Sequence, residues 1–252
     1  KLNQERFKIY VVINYNIIIQ GGNNMSSNCG KNIRLSKIIK KSSGRSLSVA
    51  FDHGLDDGPM IGNIKPRDMM EKLIEGGADS VLISPGIAKV CNDLLCDDNA
   101  PAVILRLDWT NTFRGVDELN FEEGRNILIS NVESALALGA DAVLTFMFIG
   151  YADAQTEAIE IAKNAEICRA AERLGIPHII EPMARGNSKR TAGREMEPKL
   201  IALHTRMAAE IGADAIKTDY TGDPSTYSNV IEGCPVPILI AGGPKTSSVI
   251  ET

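Results

Sequence analysis

The sequence predicts an α/β fold, a (β/α)₈ barrel, from three observations. A phrase recurs in the chain, as GGADSVLISPG at 76–86, GADAVLTFMFIG at 139–150 and GADAIKTDYTGD at 212–223. Each copy follows an amphipathic stretch, which predicts a helix, a glycine near its C-cap and then a buried strand. The strands are apolar runs, as in a parallel sheet covered on both faces. Polar residues collect at the ends of these strands, where barrel enzymes build their sites.

The other elements fill the intervals between the repeats. Strands are predicted at 48–52, 102–107, 178–181 and 237–241, and helices at 66–75, 86–95, 125–138, 153–174, 197–211 and 225–231. An open doubly wound sheet is the competing architecture, but no GxGxxG or GxxxxGK[ST] motif follows a strand. The pattern supplies seven β units, and a (β/α)₈ barrel needs one more, of roughly 30 residues. We therefore expect a barrel truncated at the C-terminus, with the eighth βα unit missing.

The first 24 residues differ from the rest, because Lys, Asn, Ile and Tyr dominate them. The apolar run YVVINYNIII is too short and too interrupted by Asn to span a membrane. We expect residues 1–24 to be disordered, either as a non-native leader or as a real extension. Residues 25–252 are expected to form a single barrel domain.

Charge and composition exclude several classes of protein. The net charge is −5 and the pI is near 5.4, whereas a nucleic-acid-binding surface requires a basic patch. The five cysteines are odd in number and lack CxxC spacing, and the three histidines form no HExxH motif. Disulfide and zinc frameworks are therefore not expected. We expect a cytoplasmic protein with no metal, no membrane and no nucleic-acid partner.

A lysine interrupts the buried strand that begins at Ala215. Lys217 has an ordinary explanation, as an edge residue or one that extends to solvent. A barrel has no edge, however, and alternation places Ala215, Lys217 and Asp219 on one face of the strand. If Ile216 packs under the helices, Lys217 points into the barrel mouth. Burial would depress its pKa, and a neutral amine attacks carbonyl groups to form a Schiff base. This is the chemistry of a class I aldolase.

Four segments together carry a family resemblance. VAFDHG at 49–54, ARG at 184–186, AIKTDYTGD at 215–223 and PVPILIAGGPK at 235–245 resemble, in order and spacing, the archaeal-type class I fructose-bisphosphate aldolases of the DeoC/LacD family. That family also includes aminodideoxyheptulosonate synthases and autoinducer-2 phosphate thiolases. The resemblance implies a (β/α)₈ barrel, usually in a homo-oligomeric ring, a covalent lysine imine without a cofactor, and a phosphorylated small-molecule substrate.

The resemblance also implies roles for individual residues. Lys217 matches the Schiff-base lysine, and Asp52 matches an aspartate whose carboxylate can move protons; a loop-capping role for Asp52 is the alternative. Gly242 and Gly243 match a phosphate loop, in which backbone N–H groups approach an anion closely. A plain strand-to-helix turn would also use these glycines.

One position departs from the family pattern. In the fructose-bisphosphate aldolases a tyrosine that acts as acid and base precedes a PRG turn, but here the stretch reads IIEPMARG and Met183 stands there. A thioether transfers no proton. Glu181 lies on the same strand face as Met183, and its carboxyl could replace the phenol. An ion pair between Glu181 and Lys217 is the alternative.

Other polar residues could each have either a substrate-binding or a structural role. Asp108 could bind substrate at the rim or pair with Arg106. Ser84 could donate to a substrate hydroxyl or cap the next helix. Arg185 could meet a phosphate, and the basic loop 186–195 could cover an anionic substrate or be an ordinary surface loop.

The expected function is therefore a metal-independent aldolase that acts on a phosphorylated ketose. Two alternatives remain open from the sequence. One is a coenzyme A-dependent thiolase acting on a phosphorylated diketone, which the absent tyrosine favours. The other is a non-catalytic paralogue that binds a phosphorylated metabolite.

Overall fold

The computed structural model describes residues 9–12, 25–60, 62–114, 124–184 and 191–242. Within them the strands are Ile9–Val12 (β1), Leu47–Ala50 (β2), Ser80–Ile83 (β3), Ala102–Arg106 (β4), Asp108–Thr110 (β5), Asn126–Leu128 (β6), Ala142–Ile149 (β7), His178–Ala184 (β8), Ala215–Thr218 (β9) and Ile238–Ile240 (β10). Seven of these strands form a curled parallel sheet, in the order β2-β3-β4-β7-β8-β9-β10. The predicted parallel sheet is confirmed.

Helices connect the parallel strands and cover the outside of the sheet. They are Met25–Ile38 (α1), Gly54–Asp57 (α2), Pro66–Glu75 (α3), Pro85–Val90 (α4), Val132–Ala137 (α5), Ala154–Leu174 (α6), Pro198–Ile211 (α7) and Pro224–Gly233 (α8). The helix predicted at 86–95 is divided into α4 and a 3₁₀ turn at Leu94–Cys96. The helix predicted at 125–138 is shorter, because β6 occupies its first part. Among the described residues, no helix has the length and apolar composition needed to cross a lipid bilayer.

Strand β1 occupies the position between the two ends of the parallel sheet. It pairs antiparallel with β10 on one side and with β2 on the other, which closes the ring of strands. The expectation of disorder for residues 1–24 is therefore wrong at Ile9–Val12, and the rest of that segment lies outside the described residues. The β-branched and aromatic residues at 9–12 have a high strand propensity, and the two edges of the parallel sheet were open to pair with them.

The barrel interior is built in two layers by the alternation of side chains along the strands. The lower layer is apolar and consists of one residue from each parallel strand: Ala50, Leu82, Ile104, Leu144, Ile179, Ala215 and Leu239. Two residues further toward the C-terminal ends stand Asp52, Arg106, Glu181 and Lys217, all buried. The lower apolar layer, called the apolar floor below, thus separates the charged layer at the barrel mouth from the barrel base.

The repeated Gly-Ala-Asp phrase closes the opposite end of the barrel. Gly77, Gly139 and Gly212 have φ values of 71°, 80° and 114°, a left-handed conformation that glycine adopts without strain. Each following aspartate accepts a hydrogen bond from a backbone N–H of a neighbouring strand: Asp79 from Leu47 at 2.7 Å, Asp141 from Val103 at 3.1 Å and Asp214 from His178 at 2.9 Å.

The same three aspartates hold the N-terminal segment in place. Lysines of α1 and the residues after it pair with them: Lys31 with Asp214 at 2.9 Å, Lys37 with Asp141 at 2.8 Å and Lys40 with Asp79 at 3.3 Å. Ile38 and Ile39 are buried against the apolar floor. The aspartates of the repeat therefore bind neighbouring strands to one another and to the segment that covers the barrel base.

Candidate active site

A pocket opens at the C-terminal ends of the parallel strands, where the charged layer ends. The residues that line it come from four strand ends and from the segments that follow β2 and β5. They are Asp52, His53, Asp56, Asp57, Arg106, Phe113, Phe146, Glu181, Met183 and Lys217. The three residues predicted to be catalytic, Lys217, Asp52 and Glu181, are thus brought together in one cavity.

Lys217 points into this pocket from β9. Its neighbours on the strand take the two faces as expected: Ala215 packs in the barrel interior and Ile216 packs under the helices. The side chain is 4% exposed, and its Nζ lies 2.7 Å from Oε1 of Glu181. The lysine is therefore buried in the barrel mouth rather than exposed at an edge, and it forms the ion pair with Glu181 that was the alternative role for that carboxylate.

Arg106 connects the two sides of the site. Its Nε donates to Oδ2 of Asp52 at 2.7 Å and its Nη2 donates to Oε2 of Glu181 at 2.8 Å. A third carboxylate, Asp108, lies 3.6 Å from Nη1. Burial would lower the pKa of Arg106, but the three carboxylates raise it above its ordinary value. The guanidinium is therefore permanently charged and fixes the orientation of both acids.

Asp52 is ionised in this arrangement. Burial alone would raise the pKa of Asp52, but the Arg106 guanidinium, with His53 and Lys217, holds it below its ordinary range. Asp52, Arg106, Glu181 and Lys217 form one continuous chain of hydrogen-bonded charges.

Asp56 behaves differently from Asp52. Burial raises the pKa of Asp56 to about 7; Arg106 opposes this shift, and the Asp52 and Asp57 carboxylates reinforce it. At neutral pH the pocket therefore contains one carboxyl group that both gains and loses a proton readily.

Aromatic side chains form the apolar wall of the pocket. The Phe146 ring lies under the guanidinium of Arg106, with 3.7 Å between the ring centroid and Cζ. Phe113 and Phe148 pack against Phe146 with centroids 5.5 and 5.2 Å away. Met183 completes this cluster and lines the pocket. The position that the resemblance assigns to a tyrosine thus faces the cavity, but its thioether carries no transferable proton.

Two predicted substrate-binding residues are not brought into the pocket. Ser84 caps α4, with its Oγ accepting from the Ile87 N–H at 3.4 Å. Asp108 is fully buried beside the pocket, where Oδ2 accepts from the Phe146 N–H at 2.8 Å and from Lys163 at 2.9 Å. Oδ1 of Asp108 accepts no hydrogen bond from the described residues and lies 3.6 Å from Nη1 of Arg106, so Ser84 caps a helix and Asp108 pairs with Arg106, the second of the two roles considered for each.

The predicted phosphate-binding residues are described only in part. Gly242 lies two residues beyond β10, at the same end of the barrel as the pocket, but it does not line the pocket. Gly243 and Arg185 lie outside the described residues, as do residues 186–190 of the loop at 186–195.

Three contributors to the site were not singled out from the sequence as central. Arg106 was considered, with Asp108, either as a rim residue that binds polar substrate groups or as the partner of Asp108, and its contacts with Asp52 and Glu181 were not foreseen. Phe146 follows from the alternation of side chains along its strand. Asp56 gives no periodic signal, because it lies on the short helix α2 rather than on a strand.

Comparison with known proteins places these observations in a family. A family profile described as DeoC/LacD family aldolase matches residues 46–252. An uncharacterised aldolase of Saccharolobus solfataricus is 35% identical over 222 residues, which cover 88% of this chain and 80% of the relative. The class 1 fructose-bisphosphate aldolase of Thermoproteus tenax is 30% identical over 211 residues, which cover 81% of this chain and 74% of the relative.

A solved structure shows the same architecture. It is an archaeal fructose-1,6-bisphosphate aldolase with its catalytic lysine covalently bound to the carbinolamine intermediate of the substrate. The TM-score is 0.73 at 29% identity, and the match covers 87% of this chain and 82% of the other.

Proposed function

The chain belongs to the DeoC/LacD family of aldolases and is a lyase, and from that premise we propose that it cleaves and forms a carbon–carbon bond in a phosphorylated ketose through an imine on Lys217. The observation that carries this assignment is the buried contact of 2.7 Å between Lys217 and Glu181 in a cavity at the strand ends. A reactive amine and a group that accepts its proton are thus held side by side.

The pair supports the first step of imine formation. A lysine in contact with a carboxylate is held as an ammonium ion, which has no lone pair for attack. Transfer of one proton from Nζ to Oε1 of Glu181 leaves both groups neutral and frees the amine lone pair. The amine then attacks the ketone carbon, the carbonyl oxygen takes a proton, and loss of water from the carbinolamine leaves a protonated imine.

The protonated imine drives cleavage of the carbon–carbon bond. Electrons of that bond move toward the iminium nitrogen and form an enamine, while the hydroxyl carbon beyond the bond becomes the aldehyde and releases its hydroxyl proton. In this proposal the lysine nitrogen is the electron sink, so we expect no metal or cofactor to be required. Activity should therefore be unchanged by prolonged treatment with EDTA.

Arg106 and Asp52 keep Glu181 in position for this cycle. Arg106 occupies Oε2 of Glu181 and leaves Oε1 directed at the lysine. The ionised Asp52 anchors the other side of the guanidinium and adds negative charge near the cationic imine. Electrostatic stabilisation of this type is preorganised, because each of these side chains is buried and hydrogen-bonded before substrate arrives.

The phosphorylated end of the substrate is proposed to bind beyond β10. Gly242 lies at this end of the barrel, and backbone N–H groups at Gly242 and Gly243, with the Arg185 side chain, would supply anion contacts. Phosphate sites of (β/α)₈ barrels commonly lie near the last strands. We further propose that the protein acts as a homo-oligomer in the cytoplasm, which sedimentation and cell fractionation would test.

Borohydride trapping tests the imine. The full chain is incubated with fructose 1,6-bisphosphate, reduced with sodium borohydride and analysed by intact mass and peptide mapping. We expect an adduct on Lys217, and we expect Lys217→Met to lose both the adduct and at least 10³-fold of cleavage activity, since the nucleophile is removed.

Lys163 provides an internal control for this experiment. It is also a buried lysine in contact with carboxylates, Asp108 at 2.9 Å and Glu160 at 3.1 Å, but it does not line the pocket. It should remain unlabelled. No adduct from any of several ketose phosphates, or an adduct that survives Lys217→Met, would contradict the proposed function.

A further inference from the structure

Resting on the proposed imine chemistry of Lys217, we propose that Asp56 is the acid–base group that accepts the substrate hydroxyl proton when the carbon–carbon bond breaks and returns it when the bond forms. Cleavage requires such a group near the new aldehyde. Asp56 lines the same pocket as Lys217 but is carried by a different element, the helix α2 that follows β2.

Contacts from the neighbouring strand hold Asp56 in place. Its Oδ1 accepts from the Thr110 N–H at 3.5 Å, and its carbonyl oxygen accepts from Nε of Arg114 at 3.4 Å. Trp109 donates through Nε1 to the carbonyl of Leu55 at 3.1 Å. The Arg114 guanidinium lies 5.4 Å from the Trp109 ring centroid. Leu55 and Asp56 of helix α2 are thus held by hydrogen bonds from β5 and from Arg114.

The other acids that form the charged layer are already engaged by cations. Glu181 contacts Arg106 with one oxygen and Lys217 with the other. Asp52 is bound by Arg106 at 2.7 Å. Around Asp56, by contrast, no lysine or arginine nitrogen of the described ranges forms an ion pair with the carboxylate. A proton on Asp56 therefore does not have to compete with a salt bridge.

The surroundings of Asp56 favour exchange of a proton near neutral pH. The charged groups that face it are Arg106 from β4, Asp52 from the end of β2, its neighbour Asp57, and Arg114 beyond β5. Burial and the two aspartates outweigh the arginine and bring the pKa of Asp56 to about 7. A carboxyl of this pKa is present in both forms at pH 7, which suits a group that must act as base in one direction and as acid in the other.

The proton and the electrons can be followed through both directions of the carbon–carbon bond reaction. In cleavage, the ionised Asp56 takes the hydroxyl proton, the oxygen electrons form the aldehyde double bond, and the electrons of the broken bond enter the enamine on Lys217. In condensation, the enamine carbon attacks the aldehyde and the protonated Asp56 returns its proton to the new hydroxyl. Met183, which also lines the pocket, contributes nothing to this transfer because a thioether has no proton to give.

Asp56→Asn separates the roles of Asp56 and Lys217. We expect the variant to lose about 10²- to 10⁴-fold in cleavage of fructose 1,6-bisphosphate, the usual contribution of general acid–base catalysis, while Lys217 is still trapped by borohydride. The rise of the wild-type kcat with pH near 7 should disappear, because an amide does not titrate there. Asp56→Glu should recover part of the rate. Asp98→Asn, an exposed site at the other end of the barrel, is the matched control and should behave as the wild type.

Thermal stability supplies a second readout that does not depend on activity. The pKa of Asp56 is raised in the folded chain, so the protonated form is favoured by folding and stability is lost as pH rises from about 4 through 7. Asp56→Asn should therefore unfold at a higher temperature than the wild type at pH 8 and at a similar temperature at pH 4.

The two proposals fail in different ways. A variant Asp56→Asn that cleaves substrate within twofold of the wild-type rate and keeps its pH profile would overturn the role of Asp56 and leave the imine intact. A variant that no longer forms the adduct would also overturn it, since Asp56 would then act before bond cleavage. Absence of an adduct in the wild-type chain would overturn both proposals.

Discussion

At the scale of single residues, the site depends on one arginine that is shared between acids. Arg106 is 2% exposed and contacts Asp52, Glu181 and Asp108. A buried ion pair adds little to stability compared with an apolar pair, but removing one partner leaves an uncompensated charge in a poorly solvated place. The network is therefore sensitive to loss of this shared cation.

Replacing Arg106 should affect stability in a pH-dependent way. Arg106→Met should reduce the free energy of unfolding at pH 7 by about 3–5 kcal/mol, the usual result of breaking a buried pair. The pKa of Asp52 is lowered in the folded wild type, so its stabilising contribution is present above about pH 4 and is lost as pH falls through the folded value. The difference between variant and wild type should therefore shrink as pH falls below about 4, which urea titrations at pH 7 and pH 3 would measure.

Arg67 offers a control for this experiment. It forms an equally short pair with Asp93, at 2.6 Å, but both side chains are largely exposed. Arg67→Met should change stability little at either pH, because solvent and salt screen such pairs. Equal losses for Arg67→Met and Arg106→Met would show that burial does not decide the effect.

Residue-level prediction succeeded where alternation along a strand applied. Lys217 and Glu181 were placed in the mouth because each stands an even number of positions from an interior apolar residue. Whether a side chain turns toward substrate or toward protein groups is decided by partners distant in sequence, and for this reason the sequence left both a substrate-binding and a structural role open for Ser84 and Asp108. Asp56 could not be found by periodicity, because its helix contains one turn and its position depends on Trp109 and Thr110.

At the scale of elements, the aspartates of the repeat join neighbouring strands. Asp214 accepts from the His178 N–H with one oxygen and from Lys31 with the other, both at 2.9 Å. Burial would lower the pKa of Lys31, but Asp214 and Glu172 together raise it. The hydrogen bond to the strand and the ion pair to α1 are thus two separable contributions of one side chain.

A pair of substitutions distinguishes these contributions. Asp214→Asn keeps an oxygen that accepts from His178, whereas Asp214→Ala leaves that N–H unpaired. We expect the alanine variant to be less stable than the asparagine variant by about 1–3 kcal/mol, the usual cost of an unsatisfied buried donor. Guanidinium unfolding at pH 7 would measure the difference. Equal stability of the two variants would show that only the ion pair matters.

The strands that the sequence did not predict, β1, β5 and β6, are specified by their pairing partners. The repeats predicted β3, β7 and β9 because a helix, a glycine and an apolar run succeed one another locally. The short strands β5 and β6 pair with each other within a connection, in the register Trp109 to Ile127, and neither has an apolar run of its own. Strand β1 pairs with β10, 229 positions away at Val11–Ile240, and with β2, 40 positions away at Ile9–Val49, so its place in the sheet is set by partners distant in sequence.

At the scale of the whole molecule, one short strand completes the ring. Val11 of strand β1 pairs with Leu47 on one side and with Ile240 on the other. Its direction is opposite to that of the seven parallel strands. Because closure removes both edges of the sheet, the backbone of this strand should contribute to the stability of the whole barrel.

Proline substitution tests this contribution. Val11→Pro removes a backbone N–H in a strand with a partner on each side, where proline is rarely tolerated. We expect a clear fall in the unfolding midpoint, larger than for Val11→Ala, which keeps the N–H. Hydrogen exchange should also become faster in β2 and β10, the two strands that lose a partner. Identical midpoints for the two variants would indicate that β1 does not close the barrel in solution.

The two-layer interior has a consequence for how this protein can change. The groups proposed to handle substrate stand above the apolar floor, and the aspartates that fasten the strands stand below it, with no residue shared between the two sets. Substitutions at the upper rim can therefore alter which aldehyde is accepted without loosening the base. The effects of distant substitutions on stability usually add. The hydrogen bonds and ion pairs at the barrel base should therefore persist while substitutions in the pocket change the reaction.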